Sequence, residues 1–180
     1  MKHTIGLICL AISIAAVNTV AAQESSGKVA PPMNICETDP HFSDWDFWVG
    51  AWRVTAHDTG DFAGENSITK EEGGCFLQEK WTSAGGGTGQ SMNYYNPATG
   101  KWRQIWIARP GYIIDYEGGL ENGAMVLVGT ITDYSDKVSH PFRGTWTPNE
   151  DGTVRQLFEQ YSEDEKVWKT WFDGLYTRKE

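Results

Sequence analysis

Basic side chains are scarce in this chain of 180 residues, which carries 15 lysines and arginines against 24 aspartates and glutamates. The formal charge of −9 argues against a nucleic-acid partner, because such a partner ordinarily requires a basic face. The sequence also lacks a phosphate-binding loop, a Gly-x-Ser-x-Gly elbow, a His-Glu-x-x-His motif and the tight ligand spacings of zinc sites. The usual nucleophilic and metal-dependent routes to catalysis therefore lack their residues, and we predict no metal or other cofactor.

Long apolar runs are missing except at the amino terminus. Residues 1–22 combine Lys2, an apolar stretch over residues 5–17 and a small-residue site at Val20-Ala21-Ala22, which predicts a secretory signal peptide cleaved after Ala22. A membrane anchor is the alternative, but the stretch is shorter than the about 20 residues that a spanning helix needs. We expect an exported protein, secreted or periplasmic, with no stable membrane anchor after cleavage.

Cysteine is sparse as well, and of the three cysteines only Cys36 and Cys75 follow the predicted cleavage site. In an oxidising compartment we expect these two to form a disulfide, with two separate buried thiols as the alternative.

Residues 23–40 are polar and contain Pro31-Pro32, so we interpret them as a flexible linker that is fixed at Cys36.

Turn-forming residues punctuate the rest of the chain at short intervals, and β-rich runs lie between them. Ten strands are predicted near residues 51–57, 65–72, 75–83, 89–95, 101–108, 112–120, 124–133, 142–147, 154–162 and 167–177. A short helix is predicted after Pro40 or Ser43, where Phe42, Trp45 and Trp48 recur at helical spacing. Such a meander is expected to close into a barrel or to fold as a sandwich, because open strand edges invite aggregation.

The turns also predict which side chains share a face, because a hairpin loop determines the register of its strands. Asn122-Gly123 suits a two-residue turn that pairs Leu120 with Met125, and residues 97–100 suit a four-residue loop that pairs Tyr95 with Trp102. Placing loop tips at Asp151-Gly152 and at residues 163–166 gives a third set. It predicts an inward face made of Trp146, Leu157, Glu159, Tyr161, Trp168, Thr170 and Phe172.

Polar and aromatic residues therefore share the predicted inner face, and nine of them form a candidate ligand-binding site. They are Glu79, Trp81, Asn93, Tyr95, Gln104, Trp106, Trp146, Glu159 and Tyr161. Two explanations remain open: a closed polar network that only stabilises the packing, and a pocket in which an aromatic wall carries a few polar groups. A third alternative is an enzyme that uses Glu79 and Glu159 as an acid–base pair.

A set of motifs carries a family resemblance. The run Phe47-Trp48-Val49-Gly50-Ala51-Trp52 contains Gly-x-Trp, and Arg178 follows near the other end of the chain. The further motifs are Gly74-Cys75, Glu79-x-Trp81, Ser91-x-Asn93-x-Tyr95-Asn96-Pro97-x-x-Gly100-x-Trp102-x-Gln104-x-Trp106, Thr145-Trp146-Thr147-Pro148, Val154-Arg155-Gln156 and Phe172-Asp173-Gly174-x-Tyr176. Together they resemble a secreted bacterial calycin-like family of unknown function, with barrels of the lipocalin and nitrobindin type.

The resemblance implies an all-β fold over residues 41–180: a closed ten-stranded antiparallel up-and-down barrel with a short helix over one end. It implies that Trp52 packs across that end with Arg178 stacked on it, and that the interior holds a pocket. It brings no catalytic residue. The nitrobindin-type barrels would add haem bound by a histidine, although no histidine here falls on a predicted inward position. The sequence as a whole therefore predicts an exported barrel that binds a small molecule.

Overall fold

A closed barrel of ten antiparallel strands makes up most of the computed structural model, which describes residues 33–109 and 111–180. The predicted signal peptide and the first part of the predicted linker lie outside these residues. The strands are β1 (Gly50–Ala56), β2 (Phe62–Glu71), β3 (Phe76–Ser83), β4 (Thr88–Asn96), β5 (Lys101–Arg109), β6 (Tyr112–Glu121), β7 (Ala124–Asp133), β8 (Ser139–Pro148), β9 (Val154–Ser162) and β10 (Val167–Arg178). No helix in the described ranges has both the length and the apolar character to cross a membrane.

Strand order around the barrel follows the chain, and β1 closes the wall by pairing with both β2 and β10. The predicted closed ten-stranded antiparallel barrel is therefore confirmed. We call the end that holds the start of β1 and the end of β10 the lower end, and the opposite end the upper end.

The two hairpins with a strong turn signal have the predicted register. Leu120 lies opposite Met125 across Asn122-Gly123, where both turn residues have positive φ, 51° and 84°. Tyr95 lies opposite Trp102 across the four-residue loop, and its final residue, Gly100, has a φ of 68°. At these turns the residue types require one backbone conformation, and this conformation determines the register of the two strands that each turn joins.

The hairpin between β8 and β9 differs from the prediction by one residue. Its loop has five residues, 149–153, held by a bond of 2.8 Å from the Asn149 N–H to the Thr153 carbonyl, so Trp146 lies opposite Gln156 and not opposite Leu157. Because side chains alternate between the faces of a strand, this single residue reverses every orientation along β9. The predicted inward positions of Leu157, Glu159 and Tyr161 are therefore wrong.

Strand β10 contains a bulge that places its two halves in different registers. Trp168 pairs with Tyr161 and Thr170 with Glu159 on the outer face, so their predicted inward orientation is wrong as well. The register shifts between Thr170 and Phe172, which then lies opposite Phe158. The extra residue of the bulge brings Phe172 to the inner face, where it was predicted, and leaves Trp171 at the upper rim.

The segment before β1 forms three short helical turns in place of the single predicted helix. One α-helical turn, Ile35–Thr38, lies within the predicted linker, and 3₁₀ turns follow at Pro40–Ser43 and Asp46–Trp48. The Asp39 carboxylate accepts a bond of 3.0 Å from the His41 N–H, which caps the second turn where Pro40 supplies no donor. The predicted disulfide between Cys36 and Cys75 is present and fixes this segment to the loop before β3.

Tryptophan side chains close the lower end. Trp45 and Trp48 are fully buried and stack with ring centroids 5.1 Å apart. Trp52 donates its indole N–H to the Trp48 carbonyl at 2.8 Å, and the Arg178 guanidinium lies 4.4 Å from the centroid of the Trp52 ring. This is the stacking that the resemblance implied, and the buried tryptophan rings close the lower end of the barrel.

Candidate functional site

A cavity of about 220 Å³ occupies the upper half of the barrel interior and is partly open at the upper end. Residues from six of the ten strands line it: Ala63, Glu79, Trp81, Ser83, Trp106, Tyr112, Gln156, Phe158, Trp171, Phe172 and Tyr176. Most of these side chains are aromatic, and none is lysine, arginine or histidine. Among the described residues, the lining therefore combines large apolar faces with a single group that can carry charge near neutral pH.

The aromatic walls contact one another edge to face. Trp81 and Phe172 have ring centroids 6.2 Å apart, and Tyr112 and Trp171 have centroids 5.5 Å apart. Glycines at inner positions leave space for the aromatic rings of the lining. At Gly144, for example, a Cβ atom would lie 2.8 Å from the ring of Phe158, which also lines the cavity. Small residues opposite large ones thus determine which rings reach the cavity.

Glu79 lies at the floor of the cavity and is 3% exposed. Its Oε1 accepts a hydrogen bond of 2.7 Å from Asn66 Nδ2, and its Oε2 accepts one of 2.6 Å from the Ser91 hydroxyl. Burial raises the pKa of this carboxyl from 4.5 to about 7, although the hydrogen bonds from Ser91 and Asn66 act in the opposite direction. The group therefore changes its charge close to neutral pH.

A chain of hydrogen bonds leads to Glu79 from the other side of the barrel. The Tyr116 hydroxyl donates to Gln104 Oε1, and Gln104 Nε2 donates to Asn93 Oδ1. Asn93 Nδ2 donates in turn to the Ser91 hydroxyl at 2.9 Å, and Ser91 donates to Glu79. Each donor is oriented towards the carboxyl, an arrangement that favours its ionised form.

A second branch approaches from β9 and β10. Asn66 Nδ2 also contacts the Tyr176 hydroxyl at 3.2 Å, and that hydroxyl donates to Gln156 Oε1. Burial, followed by the nearby Glu79, raises the pKa of both Tyr116 and Tyr176 well above the usual value of a phenol. Both phenols therefore remain protonated donors while Glu79 titrates.

The Trp106 indole provides a further polar group near the cavity. Its Nε1 is buried, and none of the described residues provides it with an acceptor in hydrogen-bonding geometry. Burial raises the pKa of the Tyr112 hydroxyl, and the neighbouring Trp106 side chain acts to lower it. The indole N–H thus lies close to the Tyr112 hydroxyl at the aromatic wall.

The nine residues predicted from the sequence fall into three groups. Glu79, Trp81 and Trp106 line the cavity, whereas Asn93 and Gln104 belong to the hydrogen-bond chain below it. The remaining four, Tyr95, Trp146, Glu159 and Tyr161, lie elsewhere. The polar network and the pocket, which the sequence left as alternatives, occur together, one above the other.

Two of those four residues contribute to the closure of the lower end. Trp146 is fully buried, with its ring centroid 4.8 Å from that of Trp45. Tyr95 stacks on His41 with centroids 5.1 Å apart. Neither side chain reaches the cavity.

Glu159 and Tyr161 lie on the outer wall. The Glu159 carboxylate accepts two bonds from Arg143, of 2.6 and 2.9 Å, and the guanidinium of Arg143 lies 4.6 Å from the centroid of the Trp168 ring. The Tyr161 ring packs against the same tryptophan. Glu79 and Glu159 are therefore on opposite sides of the wall, and the predicted acid–base pair is wrong.

Sequence reasoning missed several lining residues for identifiable reasons. Gln156 and Phe158 were placed on the wrong face by the one-residue error in the β8–β9 loop, and Trp171 is presented by the bulge. Tyr112 could have been found, because it lies on the same strand face as Leu120, which the Asn122-Gly123 turn pairs with Met125.

In residues 33–109 and 111–180, no group of three or more His, Cys, Asp or Glu side chains is arranged to hold a metal ion. No protein-family model matches the chain, and a search of curated proteins finds no similar sequence.

Proposed function

We propose that this protein is an exported barrel of the calycin-like type that binds a small aromatic or apolar molecule in its upper cavity. The observation that carries the proposal is a partly open aromatic cavity with one buried ionisable carboxyl at its floor. Small-molecule sites are commonly built in this way, with apolar walls and a few polar groups that orient the ligand.

The size of the cavity restricts the ligand. Its volume of about 220 Å³ exceeds the roughly 150 Å³ of an engineered cavity that admits benzene. It is smaller than the roughly 300 to 1,000 Å³ typical of sites for drug-sized molecules. A ligand of one or two rings fits these limits.

Glu79 supports a binding role over a purely structural one. A buried carboxyl that ionises near neutral pH destabilises the fold, whereas glutamine has nearly the same shape and remains neutral. The network from Tyr116 to Ser91 holds this acid at the cavity surface, where a ligand can contact it. A role in packing alone would not require an acid at this position.

Export and family assignment have separate support. The disulfide is typical of oxidising compartments, and the first 22 residues have the pattern of a signal peptide. The closed ten-stranded barrel with Arg178 stacked on Trp52 agrees with the calycin-like resemblance.

Calorimetric titration with benzyl alcohol, a neutral one-ring probe, tests the proposal. We expect saturable binding by the wild-type protein and at least about tenfold weaker binding by Ala63→Leu, because Ala63 lines the cavity and the larger side chain occupies its space. Thr82→Leu is the matched control, since it places the same side chain on the exposed outer face of β3. Equal affinities of the wild type and Ala63→Leu, or no saturable binding of any one-ring probe, neutral or charged, by the wild type, would contradict the proposal.

A further inference from the structure

We propose that the natural ligand of the upper cavity is an organic cation, an amine on an aromatic or apolar body, whose ammonium group pairs with Glu79. This inference rests on the proposed binding function and adds the chemical class of the ligand.

Glu79 differs in its partners from the three carboxylates that pair with arginines on the outer wall. On the outer wall Asp115, Glu159 and Asp173 each accept two hydrogen bonds from one arginine. Glu79 is buried far more deeply, yet its hydrogen bonds come from a neutral amide and a neutral hydroxyl. A buried carboxylate is ordinarily paired with a positive charge, and none of the described residues that line the cavity is basic. The missing charge can be supplied by a ligand.

The walls around the acid also favour a cation. The faces of tryptophan, tyrosine and phenylalanine carry partial negative charge, so they attract an ammonium group and repel an anion. Trp81, Tyr112 and Phe172 border the same cavity as Glu79. Elsewhere this chain stacks cations on the same kind of surface, with Arg143 on Trp168 and Arg178 on Trp52.

The cavity suits an organic cation better than a bare metal ion. Hard metal ions require several oxygen ligands, whereas Glu79 is the one carboxylate in the described lining, which consists mainly of ring carbons. An amine on a ring, by contrast, places its charge at the carboxylate and its apolar part against the walls. The overall charge of −9 attracts such a ligand towards the protein.

Protonation of Glu79 gives the proposal a pH signature. The titratable groups that face it are Tyr112 and Tyr116 from β6 and Tyr176 from β10, and burial raises the pKa of all three phenols. Of the described groups in the cavity, Glu79 is therefore the one that changes charge near pH 7. Binding of a cation favours the carboxylate, so it should be accompanied by proton release near this pH.

The experiment compares three probes of nearly equal size by calorimetry: benzylammonium, benzyl alcohol and benzoate. At pH 8 we expect benzylammonium to bind at least about tenfold more tightly than benzyl alcohol, and benzoate to bind most weakly. At pH 5.5 the advantage of the cation should fall by about tenfold or more, because a group with a pKa of about 7 is mostly protonated there.

Substitutions assign the preference to one residue. Glu79→Gln should lose the preference for benzylammonium over benzyl alcohol, whereas Glu159→Gln on the outer wall should retain it. A second measurement does not depend on the folding of the variant: near pH 7, wild-type binding of benzylammonium should release protons, detected in buffers with different ionisation enthalpies. Binding of benzyl alcohol should release none.

The outcomes separate the two proposals. If benzyl alcohol binds as tightly as benzylammonium at pH 8, or if Glu79→Gln keeps the preference, the cation inference is wrong and the binding function stands. If benzoate binds best at pH 8, the inference is also wrong. If none of the three probes binds, the proposed function fails and the inference fails with it.

Discussion

Glu79 combines full burial with two hydrogen bonds and no ionic partner among the described residues, and this combination determines how the barrel responds to pH. Below pH 4.5 the carboxyl is protonated in both the folded and the unfolded chain. Between pH 4.5 and about 7 the unfolded chain releases this proton while the folded chain retains it. The folded state therefore loses stability as pH rises through this interval, by about 3 kcal/mol for a difference of this size.

Glu79→Gln should remove this pH dependence, because glutamine resembles the protonated acid. We expect the free energy of unfolding of the variant, relative to the wild type, to increase by about 2.5 kcal/mol between pH 5 and pH 8. Urea unfolding at the two pH values measures the difference. Glu65→Gln, at an exposed position beside Lys179, is the control and should show no comparable change. A difference between Glu79→Gln and the wild type that does not vary with pH would contradict the assignment.

At the scale of single residues, the inward positions of Glu79, Trp81 and Trp106 could be predicted from sequence, and those of Gln156 and Phe158 could not. The first three lie on strands whose inward and outward side chains can be told apart from the sequence. The loop of residues 97–100 sets the register in one case, and polar and apolar residues alternate along the strand in the other. The pKa of Glu79 was also beyond prediction, because it depends on burial by residues that are distant in the chain.

At the scale of strands and hairpins, the accuracy of the prediction followed the strength of the turn signal. Asn122-Gly123 requires two residues of positive φ, and the register it imposes on β6 and β7 is the predicted one. The loop before β9 contains one glycine, Gly152, and the sequence is compatible with either four or five loop residues. The bulge in β10 has no comparable sequence signal, since it depends on how the strand packs in the closed wall.

Inner glycines are a second property of the strands, and Gly89 of β4 offers a test. A Cβ atom at Gly89 would overlap the Trp106 ring, and its φ is accessible to alanine. We expect Gly89→Ala to push the indole into the cavity, to reduce stability by about 1 to 3 kcal/mol and to weaken the binding of benzyl alcohol. Unfolding curves and calorimetry measure the two effects.

Gly119→Ala is the matched control, because Gly119 also lies within a strand and no atom would approach its added Cβ within 4 Å. Its stability should differ from that of the wild type by less than about 1 kcal/mol. Equal effects of the two substitutions would show that the space for Trp106 does not depend on Gly89.

At the scale of the whole molecule, the two ends of the barrel have different roles. Tryptophans and the disulfide fill and fasten the lower end, whereas the upper end contains the partly open cavity. Closure of ten strands was predictable from the number of strands and the family resemblance. The segment that fills the lower end was predicted as one helix, because the spacing of its aromatic residues does not distinguish an α-helix from successive 3₁₀ turns.

The disulfide should stabilise the fold without affecting the cavity. Closing a loop over a sequence separation of 39 residues restricts the unfolded chain by an amount worth about 4 kcal/mol. We expect the double substitution Cys36→Ser and Cys75→Ser to lower the free energy of unfolding by up to that amount, and to leave the affinity for benzyl alcohol unchanged. Unfolding with and without a reductant provides the control, since the wild type should respond to the reductant and the variant should not. Equal stability of the wild type in both conditions would contradict this role.

Closure of the lower end by Trp45 and Trp48 has a kinetic consequence. In the described part of the barrel, a bound ligand must enter and leave the cavity through the upper end. A competitor can enter only after the bound ligand has left. The residence time of the ligand measured in a chase experiment should therefore not depend on the concentration of competitor.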